Sequence, residues 1–96
     1  MKIKVTDNFS NKLACQIEYI AKDKPIAARK FKKELFQQIN KIPSMPYKHR
    51  KSIYFDVENI RDLIFKGYAI VYQINSKEDV VVIFGFTKYQ DQPFDK

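Results

Sequence analysis

The segment from Ile60 to Ile74 constrains this chain more than any other. Two runs of branched and aromatic residues, Ile60-Arg61-Asp62-Leu63-Ile64-Phe65 and Tyr68-Ala69-Ile70-Val71-Tyr72-Gln73-Ile74, are separated only by Lys66-Gly67. That spacing and turn chemistry predict a tight β-hairpin. Because strand side chains alternate between faces, Tyr68, Ile70, Tyr72 and Ile74 share one side and Ala69, Val71 and Gln73 the other. One side is strongly apolar and the other mixed, so the hairpin calls for a covering layer on at least one face.

The rest of the chain supplies that layer. Ile3 and Val5 alternate with Lys2 and Lys4, predicting a short first strand with one buried face and lysines that guard an edge. Asp7, Asn8 and Ser10 offer helix-start chemistry. Phe9, Leu13, Ile17, Ile20 and Ala21 then recur at three- and four-residue intervals, so a helix is expected from about Phe9 to Lys22. Asp23-Lys24-Pro25 breaks it, and Pro25 suits the first turn of a second helix. Two helices joined this closely form a hairpin. The second helix aligns Ala28, Phe31, Leu35, Ile39 and Ile42 along one stripe, with Arg29, Lys30, Lys33 and Lys41 mostly elsewhere. Phe36 lies off the stripe, open to a partner contact or to packing in a second layer. Pro43 and Pro46 end the helix, and Tyr47-Lys48-His49-Arg50-Lys51 reads as a basic connector.

Ile53, Phe55 and Val57 alternate with Ser52, Tyr54 and Asp56, predicting an additional extended segment before the hairpin. Asn75-Ser76-Lys77-Glu78-Asp79 is a polar turn, and Val80 to Phe86 is a continuous apolar strand expected to be the most buried. The last ten residues read as a polar tail containing Pro93. The fold class is therefore α+β: an N-terminal strand, an α-helical hairpin, then an antiparallel three-stranded meander forming one sheet.

Ninety-six residues suit one domain spanning 1–96, without room for a separate cofactor-binding unit. No glycine-rich phosphate loop or metal-ligand spacing is present, and neither a cofactor nor a small-molecule ligand is expected. The single cysteine, Cys15, cannot form an internal disulfide and reads as a surface thiol. No apolar run has the length of a signal peptide or a membrane span, so a cytoplasmic location without membrane contact is expected. The net charge of +7 is unevenly placed: residues 22–51 hold ten lysines and arginines against Asp23 and Glu34. Such a surface attracts nucleic acid or an acidic protein segment through a field that salt weakens. The same lysines also fit a solvated helix face.

Taken in order and spacing, Ile17-Glu18-Tyr19-Ile20-Ala21, Pro25-Ile26-Ala27-Ala28, Ile60-Arg61-Asp62-Leu63 and Gly67-Tyr68-Ala69-Ile70-Val71-Tyr72 resemble the RelE/ParE superfamily of type II toxin-antitoxin toxins over nearly the whole chain. The resemblance implies a toxin neutralised by a cognate antitoxin that wraps over its surface, with operator DNA contacted mostly through the antitoxin. It implies one of two targets. ParE-like members inhibit DNA gyrase without known bond-breaking chemistry, and RelE-like members cut mRNA in the ribosome. Cutting members usually carry an arginine right after the Gly-Tyr step, where this chain has Ala69, and basic, tyrosine or histidine groups near the end of the last strand and in the C-terminal tail, where it offers Lys88 and Tyr89. The ParE-like reading is the expected one. The alternatives are a RelE-like ribosome-dependent endoribonuclease and a non-toxic antitoxin-binding module.

Metal-free RNA cleavage must activate a 2'-hydroxyl, hold the phosphate and protonate a leaving oxygen, which takes several converging polar groups. His49, Arg61, Lys88 and Tyr89 are the candidates. His49 alone has an ordinary pKa near neutrality, yet it also reads as a solvated loop histidine. Arg61 fits a phosphate or a gyrase carboxylate, and equally an ion pair with Asp62. For partner binding the candidates are Arg29, Lys33 and Phe36 on the second helix, Lys48, Arg50 and Lys51 in the connector, and Arg61 and Tyr68 in the hairpin. Tyr68 and Tyr72 share a face with Ile70, which favours packing over proton transfer.

Overall fold

The computed structural model describes residues 1–88. Strand β1 (Lys2–Val5) leads into helices α1 (Asp7–Asp23) and α2 (Pro25–Ile39), a 3-10 turn (Ile42–Ser44), and strands β2 (Arg50–Lys51), β3 (Ile60–Phe65), β4 (Tyr68–Asn75) and β5 (Val80–Lys88). The strands form one sheet in the order β1-β5-β4-β3-β2. All neighbours are antiparallel except β1, which runs parallel to β5.

Capping and turn chemistry set the element ends. The hydroxyl of Thr6, one residue before the expected start signals, accepts from the Phe9 amide at 3.2 Å and caps α1. Lys24 is the only residue between the helices. Its amide donates to Ile20 O at 2.8 Å, its carbonyl accepts from Ala28 N at 3.0 Å, and Pro25 opens α2. The second helix stops at Ile39, earlier than its apolar stripe predicts. Ile42 reaches the core from the following 3-10 turn instead, because Pro43 has no amide for a helical bond to the preceding turn.

Both helices lie on one face of the sheet. Phe9 and Leu13 from α1 and Phe31, Leu35 and Ile39 from α2 form one cluster with Leu63, Ile70, Tyr72, Ile74, Val81, Ile83 and Phe86. Aromatic edges fix the contact. Tyr68 stacks on Phe86 at 5.0 Å, Phe31 meets Tyr68 edge-on at 5.7 Å and Phe65 at 5.4 Å, and Phe9 meets Phe86 edge-on at 5.9 Å. Phe36 is half-buried against this cluster and serves as second-layer packing.

The uninterrupted apolar run of β5 contains a bulge. Val71 pairs with Gly85 but Tyr72 with Ile83, so Phe84 is an extra residue. The one-residue shift lets Val81, Ile83 and Phe86 all face the helices, which strict alternation forbids. Gly85 is needed for closeness. A Cβ there would stand 3.0 Å from Val71 Cβ, a contact tight enough that Val71 would have to give by a few tenths of an ångström.

Residues 53–57 are not a strand, contrary to their alternation. The pairing edge is the two-residue β2, with Arg50 opposite Asp62 and Lys51 opposite Arg61. The segment after it crosses the sheet face away from the helices: Ile53 N donates to Asp62 Oδ2 at 3.1 Å, Phe55 meets Phe84 edge-on at 5.6 Å, and Tyr54 Oη donates to Lys88 O at 3.4 Å. Ala69 and Val71, on that face, are thereby buried along with the helix-facing residues. At the opposite edge Lys2 and Lys4 are exposed as expected, but Val5 is 40% exposed and Ile3 only half-buried. Strand β5 continues to Lys88, two residues into the expected polar tail; the remainder of that tail lies outside the described residues.

The turn at Lys66-Gly67 has positive φ at both central residues, 48° and 84°, the requirement of the primed hairpin turn that matches strand twist. Space around Gly67 is open, so substitution is limited by backbone conformation alone. Gly67→Val should lower stability by about 1–3 kcal/mol and Gly67→Asn by clearly less, since Asn tolerates this region. Urea unfolding of the two variants measures the difference, and equal stabilities would show that the turn does not require this φ.

Candidate functional site

The connector is held against the sheet by the residues expected to do chemistry. Arg61 lies on the helix-side face of β3 opposite Tyr72, and its guanidinium is only 12% exposed. Nε donates to Glu58 O at 2.9 Å, one terminal nitrogen to Glu58 Oε1 at 2.6 Å, and the other to His49 O at 3.2 Å. The cation also lies 4.8 Å from the centre of the Tyr47 ring. Glu58, not Asp62, is its partner, because adjacent strand residues point to opposite faces. Asp62 is 1% exposed on the far face, where it accepts from Ile53 N and lies 3.9 Å from an Arg50 nitrogen.

His49 is half-buried and meets Tyr72 edge-on at 6.1 Å. Burial, followed by the charge of Lys48, pushes its pKa below the ordinary 6.5. Tyr72 is fully buried and donates its hydroxyl to Pro46 O at 2.6 Å; burial pushes its pKa far above 10.0. It is a structural tie between the central strand and the connector.

Lys88 lies at the other end of the sheet. It pairs with Tyr68, whereas Arg61 pairs with Tyr72. Four residues along β4 amount to about 13 Å, and Arg61 and Lys88 come from strands on opposite sides of β4. His49, bonded to Arg61, stays at the first end. The described catalytic candidates therefore do not converge, and Tyr89 lies outside the described residues. Around Lys88 is a groove of about 520 Å³ between the outer side of α1 and the β4–β5 end, lined by Asn11, Lys12, Cys15, Gln16, Tyr19, Tyr68, Phe86, Thr87 and Lys88. Tyr19 is 71% exposed at its rim and Cys15 is exposed in its wall. Tyr68 divides its surface between the aromatic cluster and this groove. The groove escapes sequence reading because Cys15 and Tyr19 lie off the core stripe of α1; four residues apart on one helix face, they carry the available signal.

The remaining partner candidates are dispersed. Arg29, Lys33 and Lys48 are exposed. Lys51 pairs with Asp56 at 2.9 Å, a hydrogen-bonded ion pair that raises the lysine pKa and lowers that of the carboxylate. Lys66 binds Glu34 at 2.8 Å and lowers its pKa, joining the hairpin turn to α2. Among the described residues, no group of three or more His, Cys, Asp or Glu side chains could hold a metal ion, and no helix is long and apolar enough to cross a membrane.

Residues 3–91 match the family described as the ParE toxin of the type II toxin-antitoxin system parDE. The chain belongs to this family. A ParE-family toxin of a type II toxin-antitoxin system accounts for the element order, and solved structures repeat the fold. The chromosomal ParDE toxin-antitoxin system of P. aeruginosa contains a chain that superposes with a TM-score of 0.75 at 13% identity, covering 94% of this toxin and 97% of that chain. An E. coli RelE toxin mutant in complex with an antitoxin RelBc peptide gives 0.58 at 12% identity, covering 93% and 83%. Isolated E. coli RelE gives 0.58 at 15%, covering 96% and 87%. No curated protein sequence matches significantly.

Two outcomes follow from this geometry. Arg61→Lys removes the planar fork and should destabilise the toxin by about 1–3 kcal/mol in urea unfolding, whereas an arginine kept only for an external anion would leave stability unchanged. His49, the one histidine, should titrate by NMR with a midpoint below 6.5. With its folded-state pKa lowered, the unfolded chain binds the proton more readily. The stabilisation is complete above 6.5 and is lost as pH falls from 6.5 through the folded-state value. Melting temperatures of His49→Asn should decline less than those of the wild type across that interval.

Proposed function

We propose that this toxin acts in the ParE manner, by binding and inhibiting DNA gyrase without cutting RNA, and that a cognate antitoxin encoded beside it neutralises it. One observation carries the reading. Ala69, in the position where RNA-cutting superfamily members usually carry an arginine, is 0% exposed on the covered sheet face, and the described polar candidates stand at separate ends of the sheet. Stabilising the charge that develops on a scissile phosphate takes preorganised donors close around it. Ala69 supplies none, and Arg61 is committed to Glu58, Tyr47 and the His49 carbonyl.

Antitoxin capture is supported by the family and by the antitoxin-bound RelE relative. A small acidic antitoxin suits the excess of cations in residues 22–51.

Purified toxin should inhibit gyrase-catalysed supercoiling and leave ribosome-bound mRNA intact, and co-purified antitoxin should restore supercoiling. Induction without antitoxin should produce filamentous cells and a DNA-damage response. Discrete mRNA cuts lost in Lys88→Ala would replace this reading with the RelE-like one. Inactivity in both assays, with antitoxin binding retained, would leave a binding module without toxicity.

A further inference from the structure

A second cavity, of about 290 Å³, lies where the end of α2, the 3-10 turn and the connector meet, lined by Gln38, Lys41, Ser44, Met45, Lys48 and His49. Apart from Met45, every lining side chain can donate a hydrogen bond, and none is a carboxylate. Among the described residues, neither Lys41 nor Lys48 has an ion-pair partner, and the Gln38 and Ser44 side chains make no hydrogen bond. The neighbouring cations Arg50, Lys51 and Arg61 each have a carboxylate partner.

The frame that holds these donors is fixed. Successive backbone bonds, Lys41 N to Gln38 O at 3.1 Å, Ser44 N to Lys41 O at 3.2 Å, Met45 N to Ile42 O at 3.1 Å and Lys48 N to Met45 O at 3.0 Å, wind the segment into consecutive turns. The Tyr72 hydroxyl on Pro46 O and the Arg61 guanidinium on His49 O tie it to the sheet. Two exposed lysines thus line the cavity from one short segment with no carboxylate partner, an arrangement that favours an anion there.

We infer that this cavity is a phosphate-binding site through which the toxin holds the backbone of a nucleic acid. A nucleic-acid phosphodiester suits it better than an isolated carboxylate, because the backbone presents further phosphates to the exposed cations of the same basic segment. The inference is independent of whether gyrase or the ribosome is the target. Gyrase-bound DNA and ribosomal or messenger RNA offer the same phosphodiester, and the test separates them.

Binding of a short fluorescent duplex DNA and of a single-stranded RNA of equal length would be measured by anisotropy for the full toxin over a range of salt. Lys41→Ala/Lys48→Ala should weaken binding by roughly tenfold or more and reduce the slope of log K against log salt by about two. Lys22→Ala/Lys24→Ala, which removes the same charge elsewhere in the basic segment, should change affinity by less than about threefold. The nucleic acid bound more tightly identifies the source of the phosphate. Inorganic phosphate serves as the minimal probe: it should raise the His49 NMR midpoint in the wild type, and this shift should vanish in Lys41→Ala/Lys48→Ala. Equal losses in the two double variants would mean a diffuse field with no site. A His49 midpoint indifferent to phosphate, or no binding of either nucleic acid, would overturn the inference.

Discussion

The stacking of Tyr68 on Phe86, with Phe31 closing edge-on from α2 and Phe9 from α1, is the contact on which the rest of the molecule depends. These four rings come from both helices and from the two central strands, and offset or edge-on pairs add to what their area alone contributes. Without them the helical hairpin and the sheet would be left mainly with aliphatic contacts and the rings of Phe36, Phe65 and Tyr72. The rings can meet only because the β5 bulge turns Phe86 to the helix side and because Gly85 lets β4 and β5 approach at Val71. One extra residue in β5 therefore decides which of its side chains meet the helices.

Where periodicity and turn chemistry reinforce each other, the sequence is transparent. The hairpin about Lys66-Gly67 and the two helices broken at Lys24-Pro25 follow from side-chain spacing and from residues with restricted backbones; β5 reads as a strand from its apolar run, but the central β4, flanked by strands on both sides, is more buried than β5, contrary to expectation. Other features depend on partners distant in the chain. Strand β2 is two residues long and carries no period, so it is defined only by Arg61 and Asp62 across from it. The alternation in residues 53–57 looks like a strand, but Phe55 and Tyr54 point at Phe84 and Lys88 and make a covering flap. Parallel pairing of β1 with β5 joins the two ends of the described chain and leaves no local trace.

The candidate site divides in the same manner. That Arg61 would not pair with Asp62 was open to inspection, since neighbours on a strand face opposite ways; that Glu58 and the His49 carbonyl would hold it was not, because the loop between β2 and β3 has no regular geometry. The donor cavity is partly visible in sequence as a cluster of lysines near one histidine. Its shape depends on the 3-10 turn that Pro43 imposes, and its lack of a counter-charge depends on where Asp56 and Glu34 are used instead. The groove beside Lys88 mixes residues from α1 with residues of β4 and β5 far along the chain, a juxtaposition that only the folded layer creates.

Lys24 has a geometric consequence. Its amide belongs to the first helix and its carbonyl to the second, so one residue serves as the end of one rod and the beginning of the next, and only its φ and ψ set the angle between them. A macromolecule seated on the exposed side of α1 would thus lie one residue from α2, whose Phe31 packs edge-on against Tyr68 of the central strand.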